Sequence, residues 1–251
     1  MVAPDPIAFS IFGIDIMWYG VLIGTGFLLA VAITYIRAPK FGIDQDFILT
    51  ITIAVIPSAI IGARLYYVIF TWDMYKDDLM KIFDIRSGGL AIHGGLILSF
   101  IVAYFLCRKH GVSFLNGTDL VAPVIPLAQA IGRWGNFFNE EAHGGPTDLP
   151  WAQIIDGVGY HPTFLYESVW CFLLFIFLMY FSSRRRTFYG QIICLYGILY
   201  SVERFFVEGL RTDSLMIGPL RQAQVISLVI IAVCIALYFY LRKTKQIKNR
   251  L

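Results

Sequence analysis

Apolar residues run through this chain in long uninterrupted blocks, separated by short stretches rich in charge, glycine and proline. Several blocks reach the roughly 20 residues that a helix rising about 1.5 Å per residue needs to cross a bilayer core. The pattern predicts helices near 16–36, 47–70, 89–107, 118–138, 163–181, 188–206 and 222–241. Seven spans put the two termini on opposite sides of the membrane. No convincing strand is visible between them.

Composition agrees with that pattern. Of 251 residues, 58% are hydrophobic and 15% charged, whereas a soluble domain carries about one quarter charged residues. The expected fold class is therefore all-α, a polytopic membrane protein with seven transmembrane helices. Basic residues then choose the orientation, because cytoplasmic loops carry the excess of Lys and Arg. With Met1 outside, the inner loops and tail hold twelve: Arg37, Lys40, Arg108, Lys109, Arg184, Arg185, Arg186, Arg242, Lys243, Lys245, Lys248 and Arg250. The outer segments hold five, Lys76, Lys81, Arg86, Arg211 and Arg221, and the remaining three, Arg64, Arg133 and Arg204, lie within spans. The chain is expected to run with its N-terminus outside and its C-terminus inside. The basic tail "LRKTKQIKNR" reads as an anchor on an anionic leaflet, not as a nucleic-acid site.

The four cysteines, Cys107, Cys171, Cys194 and Cys234, are isolated in apolar runs with no CxxC spacing, so neither a disulfide framework nor a zinc site is indicated. Residues 1–36 hold no Lys or Arg. A cleavable signal peptide would need that basic start, so the first apolar block is expected to remain as a helix. There is no internal repeat of the kind found in many secondary transporters. The expected organisation is one domain over 1–251, with the Gly- and Pro-rich connection near 139–162 forming a small extracytoplasmic cap.

Ionisable groups at membrane depth cost at least about 2.5 kcal/mol each on insertion scales, so their placement is informative. Tyr19 and His93 fall near the outer starts of the first and third helices, and Arg133 and Asn136 near the outer end of the fourth. His161, Tyr166 and Glu167 open the fifth helix from outside, Tyr200, Arg204 and Glu208 close the sixth, and Arg64 lies in the outer half of the second. All converge on one level, which a site reached from the outer leaflet would require. Tyr200, Arg204 and Glu208 follow one another at four-residue spacing and share a helix face. An interhelical ion pair is the bland reading of Arg204 and Glu208. Arg133 is harder to explain structurally, because its nearest carboxylates in sequence, Glu140 and Glu141, lie beyond the helix end. Arginine stays protonated and offers a planar fork of donors suited to phosphate, so two such residues at headgroup level can clamp a lipid phosphate. On that reading the counter-ion of Arg133 arrives with the substrate. His93, flanked by glycine pairs in "SGGLAIHGGL", is a candidate proton acceptor, with a buried structural histidine as the alternative.

Several chemistries lack their residues. There is no G-x-S-x-G elbow and no H-E-x-x-H, and no P-loop or GxGxxG follows a strand. No metal or organic cofactor is suggested. A lipid or small-anion transporter is the rival reading, but it predicts polar groups leading through the inner half of the spans, where only Asp119 is found.

Six stretches carry a resemblance: "WYG" at 18–20, "GARLYYVIF" at 62–70, "GGLAIHGGL" at 88–96, "IGRWGNFFNEEAHG" at 131–144, "HPTFLYES" at 161–168 and "RFFVEGLR" at 204–211. In content and order they resemble the bacterial prolipoprotein diacylglyceryl transferases. The resemblance implies an enzyme of the bacterial cytoplasmic membrane with its active site toward the periplasmic leaflet. Such an enzyme moves the diacylglyceryl group of phosphatidylglycerol to the lipobox cysteine of a prolipoprotein signal peptide, releasing glycerol phosphate. By motif position, catalytic roles fall on His93, Arg133, Arg204 and Glu208, and substrate-binding roles on Tyr19, Asn136, Glu141, Gly144 and Tyr200. Glu140 stands where that family often has glycine, and it receives no role.

Overall fold

The computed structural model describes residues 1–85, 88–212 and 215–247. Arg86, Lys248 and Arg250 of the charge count, and Ser87 of the His93 motif, lie outside them. The long apolar blocks form helices α1 (Trp18–Arg37), α2 (Gln45–Phe70), α3 (Ile92–Lys109), α6 (Thr163–Arg184) and α8 (Gln222–Thr244), each long and apolar enough to cross a membrane. The predicted helix at 118–138 is instead two, α4 (Phe114–Val121) and α5 (Val124–Phe138), bent by 41° across residues 122–123. Pro123 explains the break, because it has no amide hydrogen and its ring collides with the carbonyl four residues back. Counted as one span, that pair makes six candidates. Helix α7 (Gln191–Glu208) carries Glu203, Arg204 and Glu208 within its 18 residues, and so falls outside the apolar criterion that the other helices meet. The protein is mostly helical and multi-pass, as expected.

The expectation of no strands was wrong in detail. Three short antiparallel hairpins stand between the helices: β1 (Ile7–Ile11) with β2 (Ile14–Met17), β3 (Gln153–Ile155) with β4 (Val158–Tyr160), and β5 (Met216–Ile217) with β6 (Leu220–Arg221). The first two turn on residue pairs with positive φ, Phe12–Gly13 and Asp156–Gly157, the geometry that two-residue hairpin loops require. The second hairpin falls in the stretch read as a cap. There Thr147 N donates to Gly159 O at 2.8 Å, and Ile154 N donates to Met1 O at 2.7 Å.

The chain divides into two compact units, residues 1–34 with 118–251, and residues 35–117. The smaller unit is built on α2 and α3. Gly95 of α3 faces the Ala59 carbonyl so closely that a Cβ would sit 2.9 Å from it, and Gly94 meets Gly62 with still less room. The glycines after His93 are thus helix-packing contacts, one of the roles small residues serve in membranes. The two before it, Gly88 and Gly89, adopt positive φ, and the chain there wraps the Arg64 side chain.

In the larger unit, α1 packs along α5: Tyr19 covers Gly135, Ile23 reaches Gly132, and Gly26 faces Ala128. Leu174 and Leu178 of α6 pack with Ala122 and Ile192 in a buried cluster, joined by Tyr196, Leu199 and Tyr200 of α7. Gly197 of α7 lets Cys234 of α8 approach. Asp119, fully buried, caps the start of α7, accepting from the amides of Gly190, Ile192 and Ile193 at 2.8, 2.9 and 3.1 Å and from Arg186 Nε at 2.9 Å. Four donors satisfy both carboxylate oxygens.

Candidate active site

Arg133 sits in the last two turns of α5, Glu167 in the first turns of α6, and Arg204 in the last two turns of α7. These positions bring them together. Glu167 bridges the two arginines, one carboxylate oxygen to each: Oε2 lies 2.6 Å from Arg133 Nε, and Oε1 accepts from Arg204 Nη1. Arg204 Nη2 is 2.6 Å from Glu208 Oε2, one turn along the same helix. Tyr200 adds its hydroxyl, which accepts from Arg133 Nη2 at 3.4 Å. Both carboxylate side chains are almost fully buried, while the arginines keep 21% and 20% of their side-chain surface exposed.

This arrangement changes one expectation. Arg133 does not wait for a substrate to bring its anion, because Glu167 already holds it. Glu140 and Glu141, the nearest carboxylates in sequence, are not its partners. The bland reading of Arg204 and Glu208 as an ion pair is correct as far as it goes, but that pair belongs to a larger network. Each guanidinium has five N–H donors in a fixed fork, and the carboxylates occupy only part of each. The exposed fraction of each arginine is where an external anion can be gripped by charge-assisted hydrogen bonds.

Other predicted residues gather near the end of α5. Asn136 Nδ2 donates to Glu141 Oε1 at 2.8 Å, and the Glu141 amide donates to the Asn136 carbonyl at 3.0 Å, so the two form one unit just past Arg133. Tyr19 lies against Gly135, between Arg133 and Asn136 in sequence. A Cβ on Gly135 would come within 2.5 Å of its ring, so glycine is what lets the ring settle there. Gly144 has a different kind of role: its amide donates to His161 O at 2.9 Å and it bridges to Arg211, tying the cap segment to the chain after α7. His143 and His161 are engaged within that region, His143 with the Gly144 carbonyl and His161 with the Tyr166 hydroxyl.

Two residues on the smaller unit had been placed at the same depth. His93 opens α3 with its side chain exposed and its ring 6.2 Å from that of Tyr66. Arg64 is fully committed elsewhere. Its guanidinium donates to the carbonyls of Lys81, Ile82, Asp84, Gly88 and Gly89 at 2.5–3.0 Å and rests on the Tyr75 ring, so it is a staple for residues 81–84 and 88–89. Among the described residues, no group of three or more His, Cys, Asp or Glu side chains could hold a metal.

A family model described as prolipoprotein diacylglyceryl transferase matches residues 6–240. The chain belongs to this family. Relatives named phosphatidylglycerol–prolipoprotein diacylglyceryl transferase match it almost end to end. The protein from Finegoldia magna is 53% identical over 239 residues, covering 95% of this chain and 96% of its own. That from Clostridioides difficile is 52% identical over 242 residues, covering 96% and 97%. That from Bacillus mycoides is 44% identical over 261 residues, covering 98% and 95%. The match to the transferase family spans α1 through most of α8 and includes every residue of the Arg133–Glu167–Arg204–Glu208 network.

Glu167 is read from the sequence at the same level as the arginines but is not assigned to the site there. Glu203, buried on α7 beside Arg204, was missed altogether.

Proposed function

We propose that this protein transfers the diacylglyceryl group of phosphatidylglycerol to the lipobox cysteine of prolipoproteins, the first step of bacterial lipoprotein maturation. Membership of the transferase family supports the reaction class. The observation that carries the site is the convergence of Arg133 and Arg204 on one buried carboxylate with part of each guanidinium left open. In this reading the open faces hold the phosphate of the lipid headgroup. The thiol sulfur attacks the terminal glyceryl carbon, a C–S bond forms, and the C–O bond to phosphate breaks with its electron pair passing to the phosphate oxygen. The leaving glycerol phosphate gains negative charge as this happens. Donors fixed where charge develops are the largest single contribution such a site makes. The thiol has a pKa near 8.5 and must shed its proton to become an effective nucleophile. His93 is the candidate acceptor. Tyr19, Asn136, Glu141, Gly144 and Tyr200 are read as the surface that positions lipid or peptide.

The proposed setting is the bacterial cytoplasmic membrane, with seven spans, α4 and α5 forming one broken span and α7 crossing despite its charges. Met1 lies outside, the C-terminus inside, and the segment 139–162 caps the outer face of a single catalytic domain. A lipid or anion transporter is the weaker reading, because Asp119, the polar group that the sequence places in the inner half of the spans, is saturated by four donors. Purified protein incubated with phosphatidylglycerol and a lipobox peptide should yield a thioether-linked diacylglyceryl peptide by mass spectrometry, with glycerol phosphate in equal amount. No adduct from folded protein would overturn the assignment.

A further inference from the structure

Glu203 is 6% exposed, and neither of its carboxyl oxygens has a hydrogen-bond partner among the described residues. It is nonetheless surrounded by charge. The titratable and charged groups facing it are Glu167 and Cys171 from α6, Arg133 from α5 and Arg204 from its own helix. Glu167 is ion-paired with both Arg133 and Arg204, and Glu208 is paired with Arg204. Two guanidinium charges are therefore already balanced by two carboxylates. A third carboxylate charge would make the cluster net negative and would sit away from water with no donor on it. Burying a bare charge in that way costs far more than burying the neutral acid.

We propose that Glu203 holds its proton in the working enzyme and that this neutral state leaves the Arg133–Arg204 pair able to attract a lipid phosphate. Glu203 is then a positioning residue that sets phospholipid affinity through the arginines, without touching the lipid. Loss of its proton adds a negative charge beside the clamp and loosens the grip. The inference rests on the phosphate-clamp reading given above.

The test measures binding of short-chain phosphatidylglycerol to the full-length protein in a neutral detergent, without peptide, so that thiol ionisation plays no part. Between about pH 6 and about pH 9, wild-type affinity should fall about tenfold or more, the order of effect of one added like charge in a partly buried site. Glu203→Gln and Glu203→Met, both neutral at every pH, should keep the low-pH affinity throughout. Glu203→Met fills a similar volume with no polar group to leave unpaired, so it serves where the amide disturbs folding. A second measurement is infrared: wild-type protein at neutral pH should show a protonated-carboxyl stretch that Glu203→Gln removes. A flat wild-type profile, variants that lose affinity alongside the wild type, or no such stretch would each overturn the proposal. Failure of the wild type to form the peptide adduct would instead overturn the transferase reading, so the two failures are separable. A purely structural Glu203 would not move the pH dependence.

Discussion

Two buried arginine–carboxylate clusters lie in the larger unit, and they differ in what is left over. At the start of α7, Asp119 accepts from Arg186 and three backbone amides, with Asp119 and Arg186 both buried. At its other end, Glu167 and Glu208 share Arg133 and Arg204, both arginines keep about a fifth of their side chains open, and the buried Glu203 next to Arg204 in sequence has no hydrogen-bond donor among the described residues. The residue types are the same. A carboxylate fixed by backbone amides makes a joint, whereas one fixed only by side chains leaves cations that can trade partners.

That contrast can be broken by exchanging what each cluster loses. Asp119→Ala should have the largest effect, because it strands Arg186 and uncaps α7 together. Removing one partner of a buried ion pair costs about 3–5 kcal/mol, and the purified variant should show a sharply lower Tm in detergent. A near-normal Tm would mean that the joint is not structural. Arg133→Lys and Arg204→Lys should do the reverse, keeping the fold but lowering turnover by about 10²–10³, because a point charge cannot reproduce the planar fork. Near-normal turnover in either would contradict the clamp. His93→Gln should lower turnover by about 10², at the low end of what a general base contributes, with the loss greatest where the thiol is protonated. Full activity at every pH would remove the base assignment. Ser168→Ala sets the baseline for an ordinary buried bond. It breaks the chain from Trp134 Nε1 to the Ser168 hydroxyl and on to Ala130 O, should lower stability by about 1 kcal/mol, and should leave turnover within a few-fold.

The long helices were legible because a bilayer demands apolar length, and length is visible in one dimension. The break at Pro123 was legible in principle, since proline inside a helix removes a hydrogen bond, but the apolar run continues through it and hid the bend. The hairpin at 7–17 was hidden in a similar way: its turn residues, Phe12 and Gly13, sit inside an apolar stretch that reads as the approach to a helix. In the site, Arg133, Arg204 and Glu208 were legible because charge inside an apolar block needs a reason. The partner of Arg133 was not, because Glu167 is 34 residues away on another helix, while Glu140 and Glu141 stand close in sequence. Glu203 was obscured by its neighbour: Arg204 defined the face with Tyr200 and Glu208, and the residue before it points about 100° away around the helix.

The Arg64 staple carries a consequence for how the smaller unit responds to its surroundings. Five carbonyls converge on one guanidinium, a group that stays charged at any ordinary pH, so residues 81–84 and 88–89 are held by a contact that acidity does not switch. A lysine there would present three donors from a single point and could not span those carbonyls. The glycine turn leading into α3, and with it the start of the helix that carries His93, therefore has a mount that stays constant when acidity changes.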